Sequence, residues 1–111
     1  MYGDGSVVRD FIYIDDAVRA IENIVNGKSN YKTFNLGCGY GTSIQEILNK
    51  LESILKIKLN VIYKESRKVD VPENYLDISR YENEFGKLNP ISLEEGIQKT
   101  VQFMKEEYLQ E

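Results

Sequence analysis

The residues able to do chemistry are few. The 111-residue sequence has no His, no Trp and a single Cys, Cys38, which excludes Ser-His-Asp and Cys-His nucleophilic arrangements and His-ligated zinc. The glycine-rich turn Gly37-Cys38-Gly39-Tyr40-Gly41 lies between an apolar stretch and a helical pattern, where glycines would let a pyrophosphate approach a helix N-terminus. Its spacing is against that use, because the dinucleotide fingerprint G-x-G-x-x-G needs a glycine where Thr42 stands. The plainer reading is a tight strand-to-helix turn. Of the four arginines, Arg19 and Arg80 fall in helical patterns, where an exposed face explains them. Arg9 and Arg67 fall instead at the start of one strand and just past the end of another. Read from its neighbours alone, Arg9 pairs with Asp10 or another nearby carboxylate, and Arg67-Lys68 is a solvated loop.

The elements that must position these groups alternate between strand and helix. Gly3-Asp4-Gly5-Ser6 is a turn leading into Val7 to Ile14, a β-branched and aromatic run that reads as a strand. Asp15-Asp16 open and cap a helix with apolar Val18, Ile21 and Val25 at helical spacing, flanked by Ala17 and Ile24 and closed by Gly27. Thr33-Phe34-Asn35-Leu36 reads as a short strand. Ser43-Ile44-Gln45-Glu46 has the form of a capping box, and Ile44, Ile47, Leu48, Leu51, Ile54 and Leu55 then repeat every 3.6 residues for about four turns. Leu59 to Tyr63 reads as a further strand, so strand, helix and strand make a βαβ unit, most simply a parallel pair with a right-handed crossover. A loop from Glu65 to Asn74 contains Pro72, and a short helix from Ser79 to Phe85 stops at Gly86. Ser92-Leu93-Glu94-Glu95 is a second capping box, opening a helix with Leu93, Ile97, Val101, Met104 and Tyr108 on one face. The expected architecture is a small α/β domain of two or three layers containing this βαβ unit, with residues 1–111 as a single domain.

Composition sets the partners. The chain is 41% hydrophobic and 29% charged, with a net charge of −4, which matches a folded domain and lacks the basic footprint of a nucleic-acid binder. No stretch approaches the ~20 apolar residues of a membrane span. One Cys forms no internal disulfide, and no hydrophobic signal region opens the chain, so a cytoplasmic location is expected. The opening turn feeds a strand with no earlier element to receive it, which reads as a truncated chain or an internal start.

The segment Gly3-Asp4-Gly5-Ser6-Val7-Val8-Arg9-Asp10-Phe11-Ile12-Tyr13-Ile14-Asp15-Asp16 resembles the G-D-G-x-x-x-R-D-[FY]-[IV]-[YH]-[VI]-x-D stretch of the NAD-dependent nucleotide-sugar epimerases and dehydratases. These are the extended short-chain dehydrogenases, with the UDP-glucose (UDP-galactose) 4-epimerase pattern as the nearest match. The resemblance continues in order. Phe34-Asn35-Leu36-Gly37 with Gly39 and Ser43 is similar to N-[LI]-G-x-G-x-x-x-S, and Ser66-Arg67-Lys68-Val69-Asp70-Val71 to R-x-G-D-[VL]. Leu76-Asp77-Ile78-Ser79-Arg80 is similar to D-[IV]-S-K, and Leu93-Glu94-Glu95-Gly96-Ile97 to S-[LI]-E-E-G-[IL]. Val69 stands where the loop usually has Gly, Lys68 where Pro is common, and no Trp follows Phe85-Gly86.

The resemblance implies the C-terminal, substrate-binding part of a Rossmann-type enzyme with a nucleotide-sugar as its ligand. Arg9 and Arg67 would clamp the diphosphate, a task suited to a planar fork of donors. Asp70 would bond the ribose, and Tyr2 would lie beside the base. Such enzymes transfer hydride to NAD with a Tyr and a Lys four residues later. No tyrosine here has a Lys at that offset, and G-x-x-G-x-x-G is absent. The resemblance therefore implies no catalytic residue, cofactor or metal site in this chain. NAD would be held by an N-terminal half that is a further partner, and apolar surface left bare without that half would favour self-association. A stand-alone nucleotide-sugar-binding or protein-interaction module without enzymatic activity is the alternative.

Overall fold

A computed structural model describes residues 1–108. Four helices form as the periodicity predicts: α1 (Ile14–Asn26), α2 (Ile44–Leu55), α3 (Ser79–Phe85) and α4 (Leu93–Tyr108). Both serine caps are made, with Ser43 Oγ accepting from the Glu46 N–H at 3.1 Å and Ser92 Oγ from the Glu95 N–H at 3.2 Å; each satisfies an amide that the helix start leaves free. At α1 the sequence reading needs correction. Tyr13 is the N-cap and makes no side-chain cap bond, while Asp15 and Asp16 lie in the first turn. Asp16 is buried there, accepting from Arg19 Nη2 at 2.9 Å and from the Ile91 N–H at 3.0 Å. It ties α1 to the segment entering α4.

The sheet is smaller than expected: of the predicted strand Val7–Ile14 only Val8–Arg9 forms a ladder, and its two partners come from other residues. Its strands are β1 (Val8–Arg9), β2 (Thr42–Ser43) and β3 (Glu73–Asn74), in the order β2-β1-β3. Val8 faces Ser43 in the antiparallel pair and Glu73 in the parallel one. The α/β class therefore holds, with a mixed sheet. The predicted strands Thr33–Leu36 and Leu59–Tyr63 do not pair with each other. Phe34 and Leu36 instead pack on the core from an extended segment. The end of the other segment runs beside the chain start, where the Met1 ammonium donates to Ile62 O and the Gly3 N–H to Lys64 O at 2.7 Å. Alternation of apolar residues specifies an extended backbone without naming its neighbour.

The core is slight. Ala20, Tyr81 and Leu88 are fully buried, with Ile12, Ile24, Phe34, Leu36 and Phe85 packed around them. Phe85 lies edge-on to Phe34 and tilted to Tyr81, both at 5.4 Å between centroids. The Tyr81 hydroxyl accepts from Asn23 Nδ2 at 2.9 Å, so burying this ring leaves no stranded polar group.

Candidate functional site

Three of the four residues singled out in the sequence come together at one edge. The short pairing of residues 1–3 with 62–64 brings Tyr2 beside the loop that follows Lys64. Arg67 Cζ lies 4.2 Å from the centroid of the Tyr2 ring, and Lys64 Nζ lies 5.6 Å from it. The Asp70 carboxylate receives Arg67 Nε at 3.0 Å and Nη2 at 2.9 Å, a two-point grip that fixes the guanidinium plane. The turn from Arg67 to Asp70 is closed by backbone as well, the Asp70 N–H donating to Arg67 O at 3.1 Å. The carboxylate raises the Arg67 pKa above its already high ordinary value, chiefly through that hydrogen bond, so the fork stays charged at any physiological pH. Arg67 Nη1 has no hydrogen-bond partner among the described residues.

Arg9 approaches the same loop from β1. Its Nη1 donates to Val8 O and to Val71 O, each at 2.7 Å, which ties the guanidinium to the residue following Asp70. The ion pair with Asp10 expected from proximity in sequence does not form. Neighbours along a strand point to opposite faces, and Asp10 is occupied on its own side. The loop carrying Arg67 is exposed, as the solvated-loop reading expects, and within it the side chain is stacked on Tyr2 and gripped by Asp70.

Asp10 is the residue that sequence reasoning passed over. Its Oδ1 accepts from the Cys38 N–H at 2.8 Å, and its Oδ2 from the N–H groups of Gly39 at 3.2 Å and Leu76 at 3.3 Å. One carboxylate thus joins β1, the glycine turn and the segment leading to α3. No local signal pointed to it, since Asp10 falls midway in the expected strand Val7–Ile14 and the glycine turn it serves lies 28 residues further on. The glycines follow from this contact. A Cβ on Gly37 would lie 2.5 Å from Asp10 Oδ2, and Gly39 has φ +87°, a conformation that side chains disfavour. With two amides of the turn already given to a carboxylate, a pyrophosphate there would meet a negative charge. Cys38 is buried in the turn, and burial, first of all, pushes its thiol pKa up, which leaves it a poor nucleophile.

Among the described residues no cluster of three or more metal-ligating side chains occurs, and no helix is long and apolar enough to cross a membrane. Tyr2, Arg9, Arg67 and Asp70 lie along an edge apart from the three concave sites of about 420–670 Å³. One of those sites, polar and about 520 Å³, is lined by Tyr31, Asn35, Asp77 and Arg80. In it Arg80 stacks 4.3 Å over Tyr31 and donates to Thr33 O, so this side chain is held against the fold.

The chain trace matches one known class. The fold is that of part of the Rossmann-type extended short-chain dehydrogenases. It superposes on UDP-glucose 4-epimerase of Thermotoga maritima, solved with UDP-glucose, with TM-score 0.84 and 36% identity, covering 96% of this chain and 34% of that one. UDP-glucuronic acid 4-epimerase of Bacillus cereus, solved with UDP-glucuronic acid and NAD, gives TM-score 0.86 at 27% identity, covering 97% and 35%. The pattern of the NAD dependent epimerase/dehydratase family matches residues 1–37. UDP-glucuronate 4-epimerase of Thermodesulfobacterium geofontis is 37% identical over 108 residues, which is 96% of this chain and 33% of that protein. The chain is thus a relative of the NAD-dependent epimerases and dehydratases, as its motifs indicate. It spans about a third of the length of the curated relatives it matches.

Proposed function

We propose that this chain is the C-terminal, nucleotide-sugar-binding part of an NAD-dependent epimerase or dehydratase of the UDP-glucose 4-epimerase type. The observation that carries the reading is the Arg67 guanidinium, stacked on Tyr2 and gripped by Asp70. A diphosphate is bound by a charged planar donor with free N–H groups held in a fixed orientation. Arg67 offers Nη1, and Arg9, tethered at Val71 O, supports the loop from the other side and presents a second positive charge. Tyr2 supplies a flat surface at the base end, and Asp70 supplies acceptors for ribose hydroxyls once the nucleotide shares its hydrogen bonds with Arg67.

The redox step belongs elsewhere. The Tyr-x-x-x-Lys and G-x-x-G-x-x-G patterns are not in these residues; this reading assigns them, and the holding of NAD, to a further part of the enzyme. The chain by itself binds a nucleotide-sugar weakly and turns nothing over. Calorimetric titration with UDP tests this. Binding should weaken at least tenfold in Arg67→Ala and less in Arg67→Lys, which keeps the charge without the fork. Equal affinity of Arg67→Ala and the unaltered chain would overturn the assignment.

A further inference from the structure

The two arginines of the Tyr2 edge are held in different ways. Arg9 gives Nη1 to the carbonyls of Val8 and Val71, and it makes no ion pair among the described residues. Its charge is tethered by carbonyl dipoles and not cancelled. Arg67 gives Nε and Nη2 to the two oxygens of a single carboxylate, Asp70 Oδ2 at 3.0 Å and Oδ1 at 2.9 Å. That contact takes both oxygens of Asp70 and one edge of the guanidinium, and it leaves the pair neutral. An anion approaching Arg67 meets the negative charge of Asp70 beside it.

The pair is placed where it can open. The Arg67 side chain is 52% exposed and that of Asp70 22%, and an ion pair so close to water contributes little to stability, so a competitor for either member can part it. Arg67 has a second hold that does not involve Asp70, the Tyr2 ring 4.2 Å from its Cζ, and this keeps the guanidinium at the edge when the carboxylate turns away. The bond from the Asp70 N–H to Arg67 O keeps the turn closed meanwhile. The two possible competitors are unequal. A phosphate competing for Arg67 must displace a carboxylate of its own sign. Two neighbouring hydroxyls competing for Asp70 meet no such opposition, because each donates to one carboxylate oxygen. The ribose and the diphosphate of one nucleotide therefore address opposite members of one ion pair.

We propose that the Arg67–Asp70 pair makes diphosphate binding depend on ribose: the vicinal hydroxyls draw the Asp70 carboxylate off Arg67, and the guanidinium, kept in place by Tyr2, is released to the diphosphate. Asp70 is then the residue that selects a nucleoside diphosphate with both ribose hydroxyls over inorganic pyrophosphate, while Arg9, uncancelled throughout, attracts either. This rests on the reading of the Tyr2 edge as a nucleotide-sugar site. Because the two halves of the ligand act on one pair, each strengthens the binding of the other by the same factor.

Inorganic pyrophosphate titrated into the isotopically labelled chain, with and without uridine, tests the dependence, with affinity read from the amide shifts of residues 67–71. Uridine should raise the pyrophosphate affinity by about fivefold or more. The compound 2′,3′-dideoxyuridine, which has the same base without the hydroxyls, should leave it unchanged. Asp70→Asn removes the cancelling charge, so it should bind pyrophosphate about fivefold more tightly than the unaltered chain and gain nothing further from uridine. A pyrophosphate affinity that uridine does not change, or no pyrophosphate binding in either case, overturns the proposal. So does an equal gain from dideoxyuridine, because the base would then be acting through Tyr2, and so does a gain from uridine that persists in Asp70→Asn. UDP is titrated in parallel. UDP binding without the uridine effect would keep the substrate reading and remove the selection by Asp70, whereas no UDP binding would remove the substrate reading itself.

Discussion

Replacing Asp10 by Ala should cost this fold about 4 kcal/mol. The side chain holds three backbone amides from two separate segments. The bond to Cys38 at 2.8 Å is short and charge-assisted and contributes about 2 kcal/mol, and the longer bonds to Gly39 and Leu76 contribute about 1 kcal/mol each. Domains of this kind are stable by only about 5–15 kcal/mol, and the fully buried core here is Ala20, Tyr81 and Leu88, so the loss is a large share of the total. Asp10→Asn should cost about half as much, since its remaining carbonyl keeps one amide while its NH2 opposes another donor. Urea unfolding followed by circular dichroism gives these differences from the midpoints. Gly37→Ala supplies an internal check. Its methyl group collides with the Asp10 carboxylate, so it should destabilise the unaltered chain by more than it destabilises Asp10→Ala. A loss under about 1 kcal/mol in Asp10→Ala, or strict additivity with Gly37→Ala, would refute the role given to this carboxylate.

Ser43→Ala removes the cap of α2 and should cost about 1 kcal/mol, read from the same unfolding curves; no change would mean that the cap bond contributes nothing. Tyr81→Phe should cost about 1 kcal/mol by removing the bond from Asn23 Nδ2 to the hydroxyl, whereas Tyr81→Ala should cost about 3–5 kcal/mol and leave little folded protein. Cys38, with its pKa raised by burial, should react with a thiol reagent at least a hundredfold faster in urea than in buffer. Because the folded state prefers the protonated thiol, its contribution to stability is complete below the ordinary thiol pKa and declines as pH rises through that value toward the raised one. Cys38→Ala should accordingly lose less stability between pH 8 and pH 10 than the unaltered chain does, and an equal loss would contradict the burial.

Helices were legible in the sequence because their signals are local. The two Ser-x-x-Glu boxes and the 3.6-residue repeat of Ile44 to Leu55 specify α2 and α4 within a few neighbouring residues. The sheet was less so. Val8-Arg9 pairs with Thr42-Ser43 and Glu73-Asn74 across distances that no local pattern encodes, and the more strand-like Thr33 to Leu36 forms no ladder with the partner assigned to it. Tyr2, Arg67 and Asp70 were found through family motifs, and the fold then brought them together by pairing residues 1–3 with 62–64. The partners of Arg9 and Asp10 were misjudged for one reason. Adjacency in sequence suggests an ion pair, but an extended backbone turns the two side chains apart, leaving Arg9 to carbonyls of Val8 and Val71 and Asp10 to the amides of the glycine turn. The outward face of α1 could not be told from its inward face by periodicity, since both are apolar.

The central claim is that the Tyr2, Arg9, Arg67 and Asp70 edge holds a nucleotide diphosphate. Titration of the isotopically labelled chain with UDP, followed by amide and arginine side-chain NMR shifts, tests it most directly. Saturating shifts should concentrate at Tyr2, Gly3, Arg9 and residues 67–71 and vanish in Arg67→Ala. Shifts centred on Cys38 to Gly41 or on the Asn35–Arg80 cavity, or no saturable shift at all, would contradict it.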